Sequence, residues 1–130
     1  MKFKIIEPDV RYLAPMAELF DRYRIFYGQE SDLKGARSFI AERMEAGDSQ
    51  LFLALQVNTE EPFGFTQLYP TFTSVGMRRQ WSLNDLYVAQ AARRTGVAKA
   101  LLKAGEDFAR ANGAMRIVLE TTPEYTAAQA

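Results

Sequence analysis

A single mixed α/β domain is the fold class this chain predicts, an α+β mixed sheet with helices packed on it. Three observations carry that expectation. The apolar pattern changes period along the chain in the order β-α-α-β-β-β-α-β. In the second half, an apolar strand, an amphipathic helix of about four turns and another apolar strand follow one another, as in a right-handed βαβ crossover between parallel neighbours. Finally, residues 1–130, 48% of them apolar, suffice for one core, and no repeat, low-complexity tract or linker divides them.

Residues 2–7 alternate and are bounded by Pro8, as a first strand would be. Asp9 can cap the helix that follows. In it Leu13, Met16, Phe20, Tyr23 and Tyr27 recur at helical spacing, with Pro15 near the first turn and Gly28 as the stop. Ser31 or Asp32 caps a second helix with Leu33, Ala36, Ile40 and Met44 as its stripe, and Gly47 ends it. Residues 50–57 form the next strand, with Leu51, Leu53, Leu55 and Val57 on one face. Turn chemistry over 58–62 returns the chain as an antiparallel strand over 63–69, with Phe63, Phe65 and Tyr69 on one face. Residues 70–80 read as a polar connection containing Gly76, Arg78 and Arg79. Residues 81–88 are a buried strand. The next helix shows Val97, Leu101, Ala104 and Phe108 on one face, and Lys103–Asp107 and Glu106–Arg110 as opposite-charge pairs off it. Asn112-Gly113 closes it, and residues 115–120 form the last strand.

Composition removes several chemistries. Sixteen basic and sixteen acidic residues give no net charge, so no global field favours nucleic acid or an anionic membrane. The absence of cysteine excludes disulfides and thiolate nucleophiles. The absence of histidine excludes a Ser-His-Asp triad and His-ligated metal, and no metal is expected. Acid–base work falls to carboxylates, tyrosine, lysine, backbone or water. With no signal peptide and no long apolar run, a cytoplasmic protein is the expectation.

The stretch between the strand over 81–88 and its helix stands out against that neutral background. Arg93, Arg94, Thr95 and Gly96 fall where the first helical N–H groups lack partners. Those donors and the positive end of the helix dipole form an anion site. Gly96 removes a Cβ from the approach of a phosphate, Ala98 is small, and two arginines add charge-assisted donors. A solvated basic loop capping a helix is the plainer reading of the same residues.

Arg93-x-x-Gly96-x-Ala98, preceded by Asp85-Leu86-Tyr87-Val88 and followed by Ala100-Leu101-Leu102, resembles motif A of the GNAT superfamily of acetyl-CoA-dependent N-acetyltransferases. The element order matches that fold up to its fifth strand, and Gly64-Phe65 looks like a pair common in its third. The resemblance implies a GNAT-like acyl-CoA N-acyltransferase fold, acetyl-CoA as cosubstrate and direct transfer within a ternary complex. It places the cofactor along Leu86, Tyr87, Val88, Arg93, Arg94, Thr95, Gly96, Val97, Ala98 and Lys99. The backbone N–H of Val88 or a neighbour is the donor it implies for the thioester carbonyl.

Three departures accompany the resemblance. The sequence stops at Ala130, in what the family makes the first turn of a further helix. That helix and two last strands are expected to be missing, together with a tyrosine often proposed as general acid. A chain so shortened would expose a sheet edge and is expected to pair with a second copy as a homodimer or be marginal alone. Tyr125 stands where the family commonly has Asn. The last small residue of the motif is Ala98 rather than Gly.

Asp85 is the candidate catalytic acid, because it interrupts an apolar strand; it is equally readable as an acid satisfied by nearby N–H groups, Arg78 or Arg79. Polyamine-acetylating relatives carry Glu-Asp where this chain has Asn84-Asp85. Tyr27, Glu30, Tyr69, Asp85 and Glu120 are the candidate substrate-binding residues for a small-molecule primary amine. Helix capping and solvation also account for Glu30, and plain core for Tyr23 and Tyr27. Beside the acetyltransferase stand two other expectations: a non-catalytic acyl-CoA-binding or assembly module, and a nucleotide-binding domain. The latter lacks the glycine-rich and Walker patterns.

Overall fold

The structure, a computed structural model, describes residues 2–113 and 117–119. Five strands, β1 (Phe3–Ile6), β2 (Gln50–Gln56), β3 (Pro62–Thr73), β4 (Arg78–Val88) and β5 (Ile117–Leu119), form one sheet in sequence order. The first four are antiparallel neighbours. β4 and β5 are parallel, and the crossover between them is the helix α3 (Val97–Ala111). Expectations for residues 115, 116 and 120–130, Glu120 and Tyr125 among them, lie outside the described residues.

Local chemistry explains the helix ends. Asp9 caps a short 3-10 turn, Val10–Tyr12, accepting from Arg11 N, and that turn leads into α1 (Leu13–Phe26). Gly28, at φ +89°, follows α1. Asp32 caps α2 (Leu33–Ala46) by accepting from Gly35 N at 2.9 Å, and Gly47 ends it in the left-handed region at φ 62°. Of the predicted α2 stripe, Ala36 and Ile40 are buried, whereas Leu33 at the first turn is 49% exposed.

Two cores sandwich the sheet. On one face α1 and α2 bring Leu13, Met16, Leu19 and Ile40 against Leu51, Leu53, Leu55, Phe65 and Tyr87. On the other, α3 brings Val97, Ala98, Leu101 and Ala109 against Ala54, Phe63, Leu68, Trp81, Leu83, Leu86 and Val88. Each fully buried large apolar side chain contributes about 1.5–3 kcal/mol. The α3 face is rotated from the predicted stripe: Gly105 and Ala109 are buried, while Ala104 and Phe108 are only half-buried. Gly105 lies where an added Cβ would already be in contact with Leu68 and Leu83, so the helix sits close on the sheet.

Two bulges change which side chains share a face. Ala54 pairs with Gly64 and Leu55 with Pro62, which leaves Phe63 as an extra residue of β3. Phe63 therefore joins the α3 core while Phe65 joins the opposite one, correcting the expectation that they share a face. Val57, predicted to extend the β2 face, lies beyond the strand and is exposed. In the second bulge Gln67 pairs with Asp85 and Leu68 with Leu83, so Asn84 is the inserted residue.

The predicted connection over 70–80 is another correction. β3 and β4 stay paired past the last β2 contact, Pro70 with Trp81 and Thr73 with Arg78. Pro and a run of polar residues hide a strand that has no neighbour on the β2 side, where the pairing ends at Leu68.

Candidate active site

The Asn84 bulge fixes the site. Without an inserted residue, Leu83 and Asp85 would point the same way. With it, Leu83 lies in the α3 core and Asp85 points toward α1 and α2. Asp85 is 5% exposed. Its Oδ1 accepts from Tyr23 OH at 2.9 Å and Asn84 Nδ2 at 3.1 Å, and its Oδ2 from Gln67 Nε2 at 2.8 Å. The Asp85 carbonyl accepts from the buried Thr66 hydroxyl at 2.7 Å. Behind Gln67, Ser49 Oγ donates to Oε1 at 2.8 Å.

Burial pushes the Asp85 carboxyl above its ordinary range, and the bonds from Gln67, Tyr23 and Asn84 oppose that shift. The Tyr23 hydroxyl is pushed up by burial first and then by the Asp85 charge. Tyr69 is raised by the same two causes in the same order. Of the partners expected for Asp85, nearby N–H groups are present as the Gln67 and Asn84 amides, whereas the two arginines are corrected. Arg78 and Arg79 lie at the start of β4, and the Arg79 guanidinium rests over the rings of Phe72 and Trp81 at 5.3 and 5.8 Å.

An aromatic group adjoins the carboxylate. Tyr23 packs edge-on against Phe65, Tyr27 and Tyr87, with ring centroids 5.6, 5.0 and 6.4 Å away, and Phe26 packs edge-on against Tyr27 and Tyr87. Half-buried Tyr69 lies close enough for the Asp85 charge to act on it, and Tyr27 stands one ring further out, against Tyr23. Glu30 is exposed on the α1–α2 connection, where its carbonyl accepts from Arg24 Nη1.

At the end of β4 lies the predicted anion loop. A 3-10 turn, Gln90–Ala92, is followed by Arg94 at φ 65° and Gly96 at φ 89°, and the Thr95 hydroxyl donates to the Ala92 carbonyl. The bond from Ala100 N to Gly96 O opens α3, so the N–H groups of Val97, Ala98 and Lys99 lie ahead of the helical ladder. Arg94 and Lys99 are exposed beside them, and the space where a Gly96 Cβ would project is open. These features fit a phosphate. Leu86, Tyr87, Val88, Val97 and Ala98 are buried, the first three along β4 opposite β3 and the last two in the first turn of α3. Arg93 folds back instead: its Nε donates to the Val88 carbonyl at 3.0 Å.

The family model described as the acetyltransferase (GNAT) family matches residues 14–130. This chain belongs to the GNAT acetyltransferase family. The uncharacterised N-acetyltransferase YhfO of Bacillus subtilis is 47% identical over 108 residues, 83% of this chain and 71% of that one. A crystal structure of a probable acetyltransferase superposes with a TM-score of 0.89 at 38% identity, covering 97% of this chain and 83% of the other. A ribosomal-protein-alanine N-acetyltransferase from Brucella melitensis shares the fold, with a TM-score of 0.82 at 20% identity over 100% of this chain and 89% of its own.

In this GNAT acetyltransferase, β4 carries the buried carboxylate and leads directly into the loop ahead of α3. Val88 and Asp85 are three residues apart on β4, about 10 Å. Among the described residues no group of three or more His, Cys, Asp or Glu could hold a metal, and no helix is long and apolar enough to cross a membrane. The sequence alone does not single out Gln67 or Ser49, and helical spacing gives Tyr23 as plain core rather than as a donor to Asp85. A glutamine inside the apolar run over 63–69 was the available signal; in the structure it is fully buried, and a buried glutamine needs a polar partner.

Proposed function

We propose that this GNAT acetyltransferase uses acetyl-CoA to acetylate the primary amine of a small molecule, directly within a ternary complex. The observation that carries the reading is Asp85: a buried carboxylate in an aromatic setting, three residues from the end of the strand that leads into motif A. When bound, acetyl-CoA supplies an activated thioester. The N–H groups ahead of α3, with Arg94 and Lys99, hold its phosphates by charge and hydrogen bonding. Asp85 attracts the substrate ammonium, by charge and in a low-dielectric pocket, and receives its proton; the free amine then bonds to the acetyl carbon as the C–S bond breaks, and the second proton that nitrogen sheds neutralises the departing thiolate. Tyr23 and Tyr69, both held neutral at physiological pH, keep their hydroxyl protons as hydrogen-bond donors. Aromatic faces around them favour a cation.

A thiol-release assay with acetyl-CoA tests this reading. The acceptors are diamines, amino sugars, amino-acid amides and a peptide with N-terminal alanine. Turnover with one of the small amines, exceeding that with the peptide, is the expected result. Calorimetric binding of CoA without thiol release from any acceptor would overturn it in favour of an acyl-CoA-binding module.

A further inference from the structure

We infer that Gln67, backed by Ser49, is the positioning residue for Asp85, fixing the orientation of the carboxylate that receives the amine. The inference rests on the proposed role of Asp85. Four observations support it. Gln67 is the cross-strand partner of Asp85 and is fully buried. It is the donor to Oδ2, whereas Tyr23 and Asn84 both serve Oδ1. Asn84 is exposed and α1 approaches from outside the sheet, so the bond from Gln67 is the one made wholly within the buried ladder. The far end of the carboxamide is also occupied, by the Ser49 hydroxyl.

The order of donors and acceptors gives the string its direction. Ser49 O–H donates to the Gln67 carbonyl, and the Gln67 NH₂ donates to Asp85. An ionised carboxylate requires donors, so this is the direction that suits Asp85 as an acceptor of protons. Turned over, the carboxamide would set its oxygen against the carboxylate and its NH₂ against Ser49. The acceptor-only carboxylate therefore selects the NH₂ end of Gln67, and the Ser49 hydroxyl, donating to the carbonyl, holds the carboxamide in that orientation. Ser49 borders a cleft of about 550 Å³ between the end of β1, the end of α2 and the start of β2, so its hydroxyl can be altered without opening the core.

Other titratable groups near Asp85 are few among the described residues. Tyr23 faces it from α1 and Tyr69 from β3, both neutral over the working range. Arg43, in the last turn of α2, and Asp48, just beyond it, act on Tyr69. The nearest side chains able to retune Asp85 are thus its three donors, and Gln67 is the one held on the sheet itself by polar contacts with Ser49 and Tyr69.

The experiment is the pH profile of kcat/KM for Gln67→Leu, Gln67→Glu, Ser49→Ala, Ser49→Thr and Asp85→Asn, with acetyl-CoA and the amine acceptors above. Gln67→Leu is expected to move the acid limb up by about one pH unit and lower kcat/KM roughly tenfold, with KM for acetyl-CoA unchanged. Gln67→Glu places a second acid beside Asp85, so the limb should move further in the same direction. Ser49→Ala should produce a smaller upward shift and Ser49→Thr, which keeps the hydroxyl, should restore the original profile. A merely structural Gln67 would lower Tm and leave the limb in place, and that result overturns the inference. Should neither Gln67 variant fold, Ser49→Ala decides alone, and an unmoved limb there overturns the proposal. Loss of turnover in Asp85→Asn alongside unmoved Gln67 and Ser49 profiles refutes the inference only. Full turnover in Asp85→Asn, or no thiol release from any amine, refutes the reading of Asp85 as well.

Discussion

Arg93 Nε donates to the Val88 carbonyl at 3.0 Å, closing the loop between β4 and α3 onto the strand it leaves. The same guanidinium lies over the rings of Phe26 and Tyr87, 5.6 and 5.8 Å from their centroids. One side chain thereby ties α1, β4 and the motif A loop together. The sequence pattern suggests an arginine that reaches for phosphate; the geometry gives this one a hand in shaping the loop that presents the N–H groups. Arg93→Ala should lose about 2–3 kcal/mol of stability, from a charge-assisted hydrogen bond and two cation–π contacts. It should also weaken CoA binding. Arg93→Lys should recover only part of either, because an ammonium lacks the planar fork that stacks and donates at once. Urea denaturation and calorimetry with CoA read the two effects separately, and unchanged stability in Arg93→Ala would show that the bond to Val88 holds nothing.

Asp85 makes a prediction about pH. Burial raises its carboxyl in the folded chain, so the native state holds the proton more tightly than the unfolded one does. Stability from this group is therefore greatest in acid and falls as pH rises from the ordinary carboxylate range through the raised native value. Asp85→Asn should abolish that slope. It should also remove the acid limb of kcat/KM and lower turnover roughly a hundredfold or more, while CoA affinity stays near its original value. Parallel stability–pH curves for the two proteins would contradict the assignment of a raised carboxyl.

How much of this was legible in the sequence depends on whether a feature is local. The caps of α2 at Asp32 and Gly47 sit beside the residues they serve, and the strand–loop–helix of motif A is contiguous; these were readable directly. Asp85 was conspicuous as an acid in an apolar strand. Its partners were not, since Tyr23 lies on α1 and Gln67 on β3, and nothing in one strand announces what another will set against it. The bulges at Phe63 and Asn84 escaped for a related reason. An inserted residue is defined only by the register of its partner strand, and alternation read along a single strand carries it past unnoticed. The strand pairing beyond Pro70 was hidden because proline and exposed polar residues are also turn signals.

Asp21 carries a pH dependence of the opposite sign. It is a buried acid of α1 whose Oδ2 accepts from Ser31 Oγ and whose Oδ1 accepts from Asp32 N, both at 2.7 Å. Those bonds pin the α1–α2 connection that carries Glu30. The Ser31 hydroxyl is the first cause holding its carboxyl below the ordinary range. Stability from Asp21 is thus present above the ordinary carboxylate range and lost as pH falls through the lowered native value. Ser31→Ala should cost about 1–2 kcal/mol at neutral pH and less in acid. Chemical denaturation across that range checks it; a cost that does not change with pH would mean that the hydroxyl serves the loop without serving the carboxylate.

Gly96 separates the folding of the motif A loop from its binding. Its φ of 89° lies in the left-handed region, and nothing lies within 4 Å of the place a Cβ would occupy. Any cost of a side chain in the unliganded protein therefore comes from backbone conformation and not from collision. Gly96→Ala should lose about 1–2 kcal/mol of stability, and Gly96→Asn less, because asparagine enters this region more readily. Glutamate should cost the fold about as much as alanine does. It differs in placing length and negative charge in the open space ahead of α3, where the N–H groups of Val97, Ala98 and Lys99 begin the helix. CoA affinity should then fall far more in Gly96→Glu than in Gly96→Ala. Part of that excess should shrink at high salt as the charge is screened. Thermal denaturation and calorimetric titration with CoA at two ionic strengths distinguish the two costs. If Gly96→Glu folds and binds CoA as Gly96→Ala does, the phosphates of CoA lie elsewhere than at the start of α3.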